Sequence, residues 1–132
     1  MPLGDANRSP ADPSGLRPEV GKHVEFRSHW LPTAQGRMHF VDEGPPGADE
    51  TLLFVHGNPT WSYHWRRLIK AFRGERRCVA MDHLGMGGSE LPESPLRLAD
   101  HIANVERLID ELDLRGVTLV AQDWGGSIGL GA

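Results

Sequence analysis

Val117-Thr118-Leu119-Val120-Ala121-Gln122-Asp123-Trp124-Gly125-Gly126 is the stretch whose reading decides the fold. A short apolar run, 117–121, leads straight into a turn where Ala121 and Gly125 stand two residues before and two residues after an aspartate. The run reads as a buried strand. Small residues at those two places leave room for a sharp strand-to-helix bend that lifts the central side chain out of the sheet. The pattern is that of a nucleophile elbow with Asp123 at its apex. A carboxylate held there, near the positive end of the following helix, stays ionised and can attack a carbon centre to form an ester intermediate.

Two other readings of the same residues compete with this one. Taken alone, Asp123 could simply cap the next helix, because carboxylates are favourable at helix N-termini. Gly125-Gly126-Ser127-Ile128-Gly129 also fits the G-x-S-x-G pattern of a serine hydrolase. Register argues against the serine. A nucleophile must sit where the strand ends, and Asp123 follows the apolar run by one residue, whereas Ser127 falls about a turn into the helix with its side chain tied to helix packing.

Two further short apolar runs, Leu52–Val55 and Cys78–Met81, lie upstream of the elbow. Between them Trp65, Leu68, Ile69 and Phe72 share one helical face that Gly74 would close. Ser94 and Pro95 look like an N-cap and first helical residue ahead of Leu98, Ile102, Val105, Ile109 and Leu112, with Gly116 closing that longer helix. Continuous apolar runs separated by helical periodicity are the mark of a parallel sheet covered on both faces. Before them, His23–Trp30 alternates like a half-buried strand, Gln35-Gly36 supplies a turn, and Arg37–Asp42 returns ahead of Gly44-Pro45-Pro46-Gly47.

The expected fold class is therefore α/β: an antiparallel hairpin, then parallel strands joined by crossover helices, with a further helix starting near Gly125. Residues 1–20, rich in Pro, Gly, Asp and Arg, read as a flexible lead-in, and 21–132 as a partial core domain. A chain that stops in the first turns of a helix reads as truncated just after its elbow, because the last strand then lacks the packing of its crossover.

The second motif is His56-Gly57-Asn58-Pro59, directly after the run Leu52–Val55. In an elbow hydrolase the loop after that strand gives one backbone N–H to the oxyanion hole, and the residue after the nucleophile gives the other. Those donors would be Asn58 and Trp124.

The stretches HGNPTWSYHWRRLI (His56–Ile69), MDHLGMGGSE (Met81–Glu90) and VTLVAQDWGGSIGLG (Val117–Gly131) together resemble the haloalkane dehalogenases of the α/β-hydrolase superfamily. The resemblance covers most of the chain from about His23, and HGNP combined with an Asp-Trp elbow is more specific than either motif alone. It implies SN2 attack by Asp123 on a carbon bearing halogen, then hydrolysis of the ester by a histidine-activated water. Trp124, through its indole N–H, and Asn58, through its side-chain amide, match the family's halide-binding positions. Both are donors without a competing carboxylate, as a diffuse anion requires.

The resemblance also implies that the catalytic acid, the histidine and the cap domain come later than Ala132, so that the 132 residues alone would not turn over. β-Lactone decarboxylases of olefinic hydrocarbon biosynthesis share similar HGNP, DH-x-G-x-G and DWGG stretches and remain an alternative. Epoxide hydrolases rank lower, since they usually carry an aromatic residue where Asn58 stands. An inactive binding protein on a hydrolase fold is the non-enzyme alternative.

Other features narrow the field. The 132 residues suit one modest domain, and 39% hydrophobic with 24% charged residues is ordinary for a globular chain. A net charge of -4 gives no basic footprint for nucleic acid. No apolar run approaches the roughly 20 residues that span a bilayer. Without a secretory signal, and with the single Cys78 in an apolar run, the cytoplasm is the expected compartment. The expected partners are a small hydrophobic substrate, haloalkane or β-lactone, and water, with no cofactor and no metal.

Of the seven histidines, His56 reads as a brace for the oxyanion loop and His83 as a loop residue beside Asp82. His23, His29, His39, His64 and His101 read as surface or satisfied residues. Gly85-Met86-Gly87-Gly88-Ser89 lacks the spacing and the lysine of a phosphate loop and reads as a tight turn at a strand end. Gly125 and Gly129 allow close packing of helix on sheet, while Trp61, Tyr63 and Trp65 read mostly as core and loop packing.

Overall fold

The computed structural model describes residues 16–132. Five strands, β1 (Ser28–Thr33), β2 (Gly36–Glu43), β3 (Thr51–Val55), β4 (Arg77–Met81) and β5 (Val117–Ala121), form one sheet in the order β1-β2-β4-β3-β5. β1 and β2 make the antiparallel hairpin, with Thr33 opposite Gly36 beside the turn. β2 runs antiparallel to β4, and β3 is parallel to both β4 and β5. The helices are α1 (Pro18–Gly21), α2 (Arg66–Phe72), which continues a 3₁₀ turn at Ser62–Trp65, α3 (Leu98–Glu111) and α4 (Trp124–Gly131). The expected mixed sheet with crossover helices is what the chain forms.

Alternate residues of the parallel strands feed two cores, as the period of two requires. Leu53, Val55, Val79 and Met81 pack on one face with Val105 and Leu108 of α3 and Ile128 of α4. Phe54, Cys78 and Ala80 pack on the other with Trp65 and with Ile69 of α2. The apolar runs Leu52–Val55 and Cys78–Met81 are continuous because both of their faces are covered.

Several boundaries differ from the sequence expectations, each for a local reason. The first strand starts at Ser28, not His23, since the residues before it turn off the sheet. α3 starts at Leu98, not after Ser94-Pro95, because the Asp100 carboxylate accepts the Arg97 N–H at 2.8 Å and fixes the first turn there. The same helix ends before Gly116. Asp113 takes φ 48°, its N–H reaches the Asp110 carbonyl and the Leu114 N–H reaches that of Ile109, a Schellman closure.

Gly116 serves another end. At φ 55°, a Cβ on it would lie 2.2 Å from the Asp49 carbonyl oxygen, so it lets the two loops entering β5 and β3 meet. β5, expected to be buried, is exposed at Val117 and Thr118 and half-buried beyond, because it pairs only with β3 and lies at the sheet's edge. The lead-in expected over 1–20 lies outside the described residues as far as 15. Its last part is held to the core: Leu16 is buried, Arg17 donates to the Gly87 carbonyl at 2.6 Å, and α1 follows.

α3 shows how unevenly the packing is shared. Leu108 is completely buried between helix and sheet, whereas Leu130 on α4 is 82% exposed. Leu108→Ala should lower the stability measured by urea unfolding by about 2–5 kcal/mol. Leu130→Ala should change it by less than about 0.5 kcal/mol.

Candidate active site

β5 ends at Ala121, and the chain turns into α4 through Gln122 and Asp123. Asp123 sits at φ 56°, ψ -130°, one of two described non-glycine residues with positive φ. A side-chain-bearing residue is rarely found there, and it persists only where its surroundings hold it. The hold is backbone against backbone. A Cβ on Gly125 would lie 2.0 Å from the Val55 carbonyl oxygen, so only glycine lets α4 start so close to the end of β3. One turn on, Gly129 packs against the end of the Leu119 side chain, where a Cβ would lie 2.6 Å from a Leu119 methyl.

The loop after β3 approaches from the other side. Gly57 packs so closely that a Cβ there would lie 2.5 Å from the Asp123 Cβ and 2.8 Å from its Oδ2. This contact brings the Asn58 backbone N–H to 3.1 Å from Asp123 Oδ2, to which it donates. The Trp124 N–H, foremost, and then the Asn58 N–H hold the exposed Asp123 carboxyl below the ordinary carboxylate range. Although Asp123 is the N-cap residue of α4, its side chain makes no capping hydrogen bond. Ser127 lies in α4 with its side chain exposed, and not tied into helix packing as expected, because that side of α4 faces away from the sheet.

Asn58 and Trp124, expected as donors, come together on one cleft of about 220 Å³ with Gly57, Met86, Leu96 and Ile128. Trp124 is 54% exposed. The cleft is apolar apart from Asn58, the Trp124 indole and two imidazoles, those of His83 and His101. A larger cleft, near 500 Å³, lies by the hairpin turn between Thr33 and Leu96 and includes none of the expected site residues.

Two histidines brace the loops around the site. His56 donates from Nδ1 to the Gly57 carbonyl at 2.7 Å and accepts the His83 backbone N–H at Nε2, at 2.9 Å. His83 returns the contact by donating from Nε2 to the His56 carbonyl, also at 2.9 Å. Burial pushes both imidazoles down, His83 to about 3, so both are neutral near pH 7. His56 thus has the bracing position expected of it, with both nitrogens engaged. Among the described residues no histidine is hydrogen-bonded to Asp123.

Sequence reasoning passed over the group that organises the second loop. Asp82, fully buried just after β4, accepts the Ser62 N–H at 2.7 Å, the Gly88 N–H at 2.9 Å and the His39 Nδ1–H at 2.9 Å. Those hydrogen bonds, led by His39, keep it ionised against the cost of burial. His39, also fully buried, is satisfied at its other nitrogen by Ser28 Oγ at 2.8 Å. The glycine-rich stretch 85–89 is the tight loop expected, and it wraps this carboxylate: a Cβ on Gly87 would lie 2.5 Å from Asp82 Oδ2. An aspartate ending an apolar strand ahead of three glycines was the available signal. His101, expected as a surface or satisfied residue, is partly exposed, and its Nδ1 is buried without a partner.

Residues 50–131 match the α/β hydrolase fold family. The chain belongs to that family. This α/β-hydrolase chain is 42% identical over 108 residues to haloalkane dehalogenase 2 of Mycobacterium tuberculosis, covering 80% of itself and 36% of that protein. It is 36% identical over 112 residues to a cis-3-alkyl-4-alkyloxetan-2-one decarboxylase of Shewanella oneidensis, covering 82% of itself and 34% of the relative. Among solved structures, a haloalkane dehalogenase from Paraglaciecola agarilytica described as tetrameric superposes with a TM-score of 0.78 at 35% identity, over 84% of this chain and 40% of that one. The chain spans about a third of the length of the curated relatives it matches. Among its described residues no helix is long and apolar enough to cross a membrane, and no group of three or more His, Cys, Asp or Glu is placed to hold a metal ion.

Gly57→Ala tests the close approach in this α/β hydrolase. The added methyl should push the loop off Asp123 and remove the Asn58 N–H contact. The Asp123 carboxyl, followed by carbon NMR through an acid titration, should then titrate higher than in the unaltered chain. An unchanged titration would show that the contact does not set the carboxyl's acidity.

Proposed function

We propose that Asp123 is the nucleophile of a haloalkane dehalogenase-type hydrolase. The observation that carries this reading is the Asp123 carboxylate itself: held at φ 56°, exposed, and accepting the Asn58 N–H beside the cleft that Asn58 and Trp124 line. One carboxylate oxygen attacks the carbon bearing halogen, the carbon–halogen bond breaks, and its electron pair leaves as halide. The Trp124 indole N–H and the Asn58 side-chain amide receive the halide. Water then hydrolyses the ester to an alcohol and restores the carboxylate, with the Asn58 and Trp124 backbone N–H groups stabilising the oxyanion.

Activation of that water needs a base in contact with the ester, and His56 and His83 are committed to each other's loops. In this reading the acid and base belong to the remainder of a longer protein, and the 132 residues alone do not turn over. The partners it calls for are a small hydrophobic substrate and water, with no cofactor, and its compartment is the cytoplasm.

The lactone decarboxylase reading stands second, on the strength of the Shewanella oneidensis relative. For the longer protein, bromide release from 1,2-dibromoethane supports the dehalogenase. Absence of bromide release, with CO2 and alkene formed from a β-lactone, supports the decarboxylase instead. Asp123→Ala should remove either activity to background, and Ser127→Ala should leave it within about two-fold. Loss of activity in Ser127→Ala with retention in Asp123→Ala would transfer the nucleophile to the serine.

A further inference from the structure

His83 and His101 both line the cleft beside Asn58 and Trp124, and each has a buried Nδ1 without a hydrogen-bond partner. Their rings meet edge to face with centroids 5.2 Å apart. Buried polar nitrogens in native folds nearly always have partners, and leaving one unmet is costly. Two such atoms on adjacent rings of one cleft therefore point to a group that completes both.

The chemistry of that group follows from the tautomers. His83 spends its Nε2 proton on the His56 carbonyl, so its Nδ1 is a lone pair and can only accept. A halide or a carboxylate would be repelled there, whereas a hydroxyl would donate to it. While donating to His83, the same oxygen can accept from an N–H at His101 Nδ1. His101 is only partly buried, and its ring lies against that of His83 on the cleft wall.

We propose that His83 and His101 form a hydroxyl-binding subsite in the wall of the cleft, reached by a turn of the His101 ring, with His83 Nδ1 as its acceptor. The subsite selects ligands that carry an alcohol group, such as a haloalcohol or the alcohol left by ester hydrolysis. It rests on the reading of this cleft as the place where substrate binds. His83 here is a specificity residue with no bond-making role, while Asn58 and Trp124 hold the anionic end.

The test uses the 132-residue chain, labelled with nitrogen-15, and follows the imidazole nitrogens by NMR during parallel titrations with 2-bromoethanol and bromoethane. The proposal expects the His83 Nδ1 resonance to move upfield with 2-bromoethanol and to stay in place with bromoethane. His83→Gln keeps a donor for the His56 carbonyl and places no acceptor where the ring's Nδ1 stood. It should weaken 2-bromoethanol binding, read from the same nitrogen-15 titration, about three- to ten-fold and leave bromoethane unchanged.

A resonance that neither ligand moves, or that both move alike, overturns the subsite, and so does an equal loss of both ligands in His83→Gln. Mass spectrometry of the same samples reports separately whether Asp123 is alkylated. Failure of the dehalogenase reading is thereby distinguished from failure of the subsite.

Discussion

Backbone meets backbone where the ends of β3 and β5 come together, and the rest of the site depends on that approach. Gly125 stands against the Val55 carbonyl and Gly57 against the Asp123 side chain, each at a separation that any side chain would prevent. Two adjacent parallel strands, in register from Thr51 opposite Val117 to Val55 opposite Ala121, deliver the two turns to the same level. Close approach then does three things together. It holds Asp123 at a positive φ, points backbone N–H groups at its carboxylate, and sets Asn58 and Trp124 on one cleft.

Polar networks stiffen what the glycines permit. His56 and His83 tie the loop after β3 to the loop after β4 by reciprocal hydrogen bonds, and Asp82 gathers its own loop, the 3₁₀ turn and β2 around one buried carboxylate. Each of these groups is buried, so losing one partner would leave an uncompensated polar atom. That cost is what prevents the loops from drifting apart. The site is thus supported by three strand ends, and the catalytic candidate is the one exposed carboxylate among them.

Most of this was legible in the sequence, for physical reasons that differ by element. The continuous runs at Leu52–Val55 and Cys78–Met81 announced strands with two covered faces, and small residues around Asp123 announced the sharp turn there. β5 read as buried because its residues are apolar, yet its burial is a matter of neighbours, and it has only β3. Helix ends were misjudged where a side chain outbid the usual signals: Asp100 started α3 later than Ser94-Pro95 suggested, and Asp113 ended it ahead of Gly116. The Asp82–His39 pair was invisible because its partners come from β2, the 3₁₀ turn and a glycine loop, far apart in the chain. Likewise, the unmet nitrogens of His83 and His101 depend on which groups fail to reach them, which no local pattern records.

Trapping the covalent intermediate tests the central claim most directly. The chain would be incubated with 1-bromobutane, digested, and its peptides weighed and fragmented by mass spectrometry. The account predicts one butyl group, carried as an ester on Asp123, absent from Asp123→Asn and retained in Ser127→Ala. A butyl group found on any other residue, or no adduct on Asp123 at a concentration that fills the cleft, would contradict it.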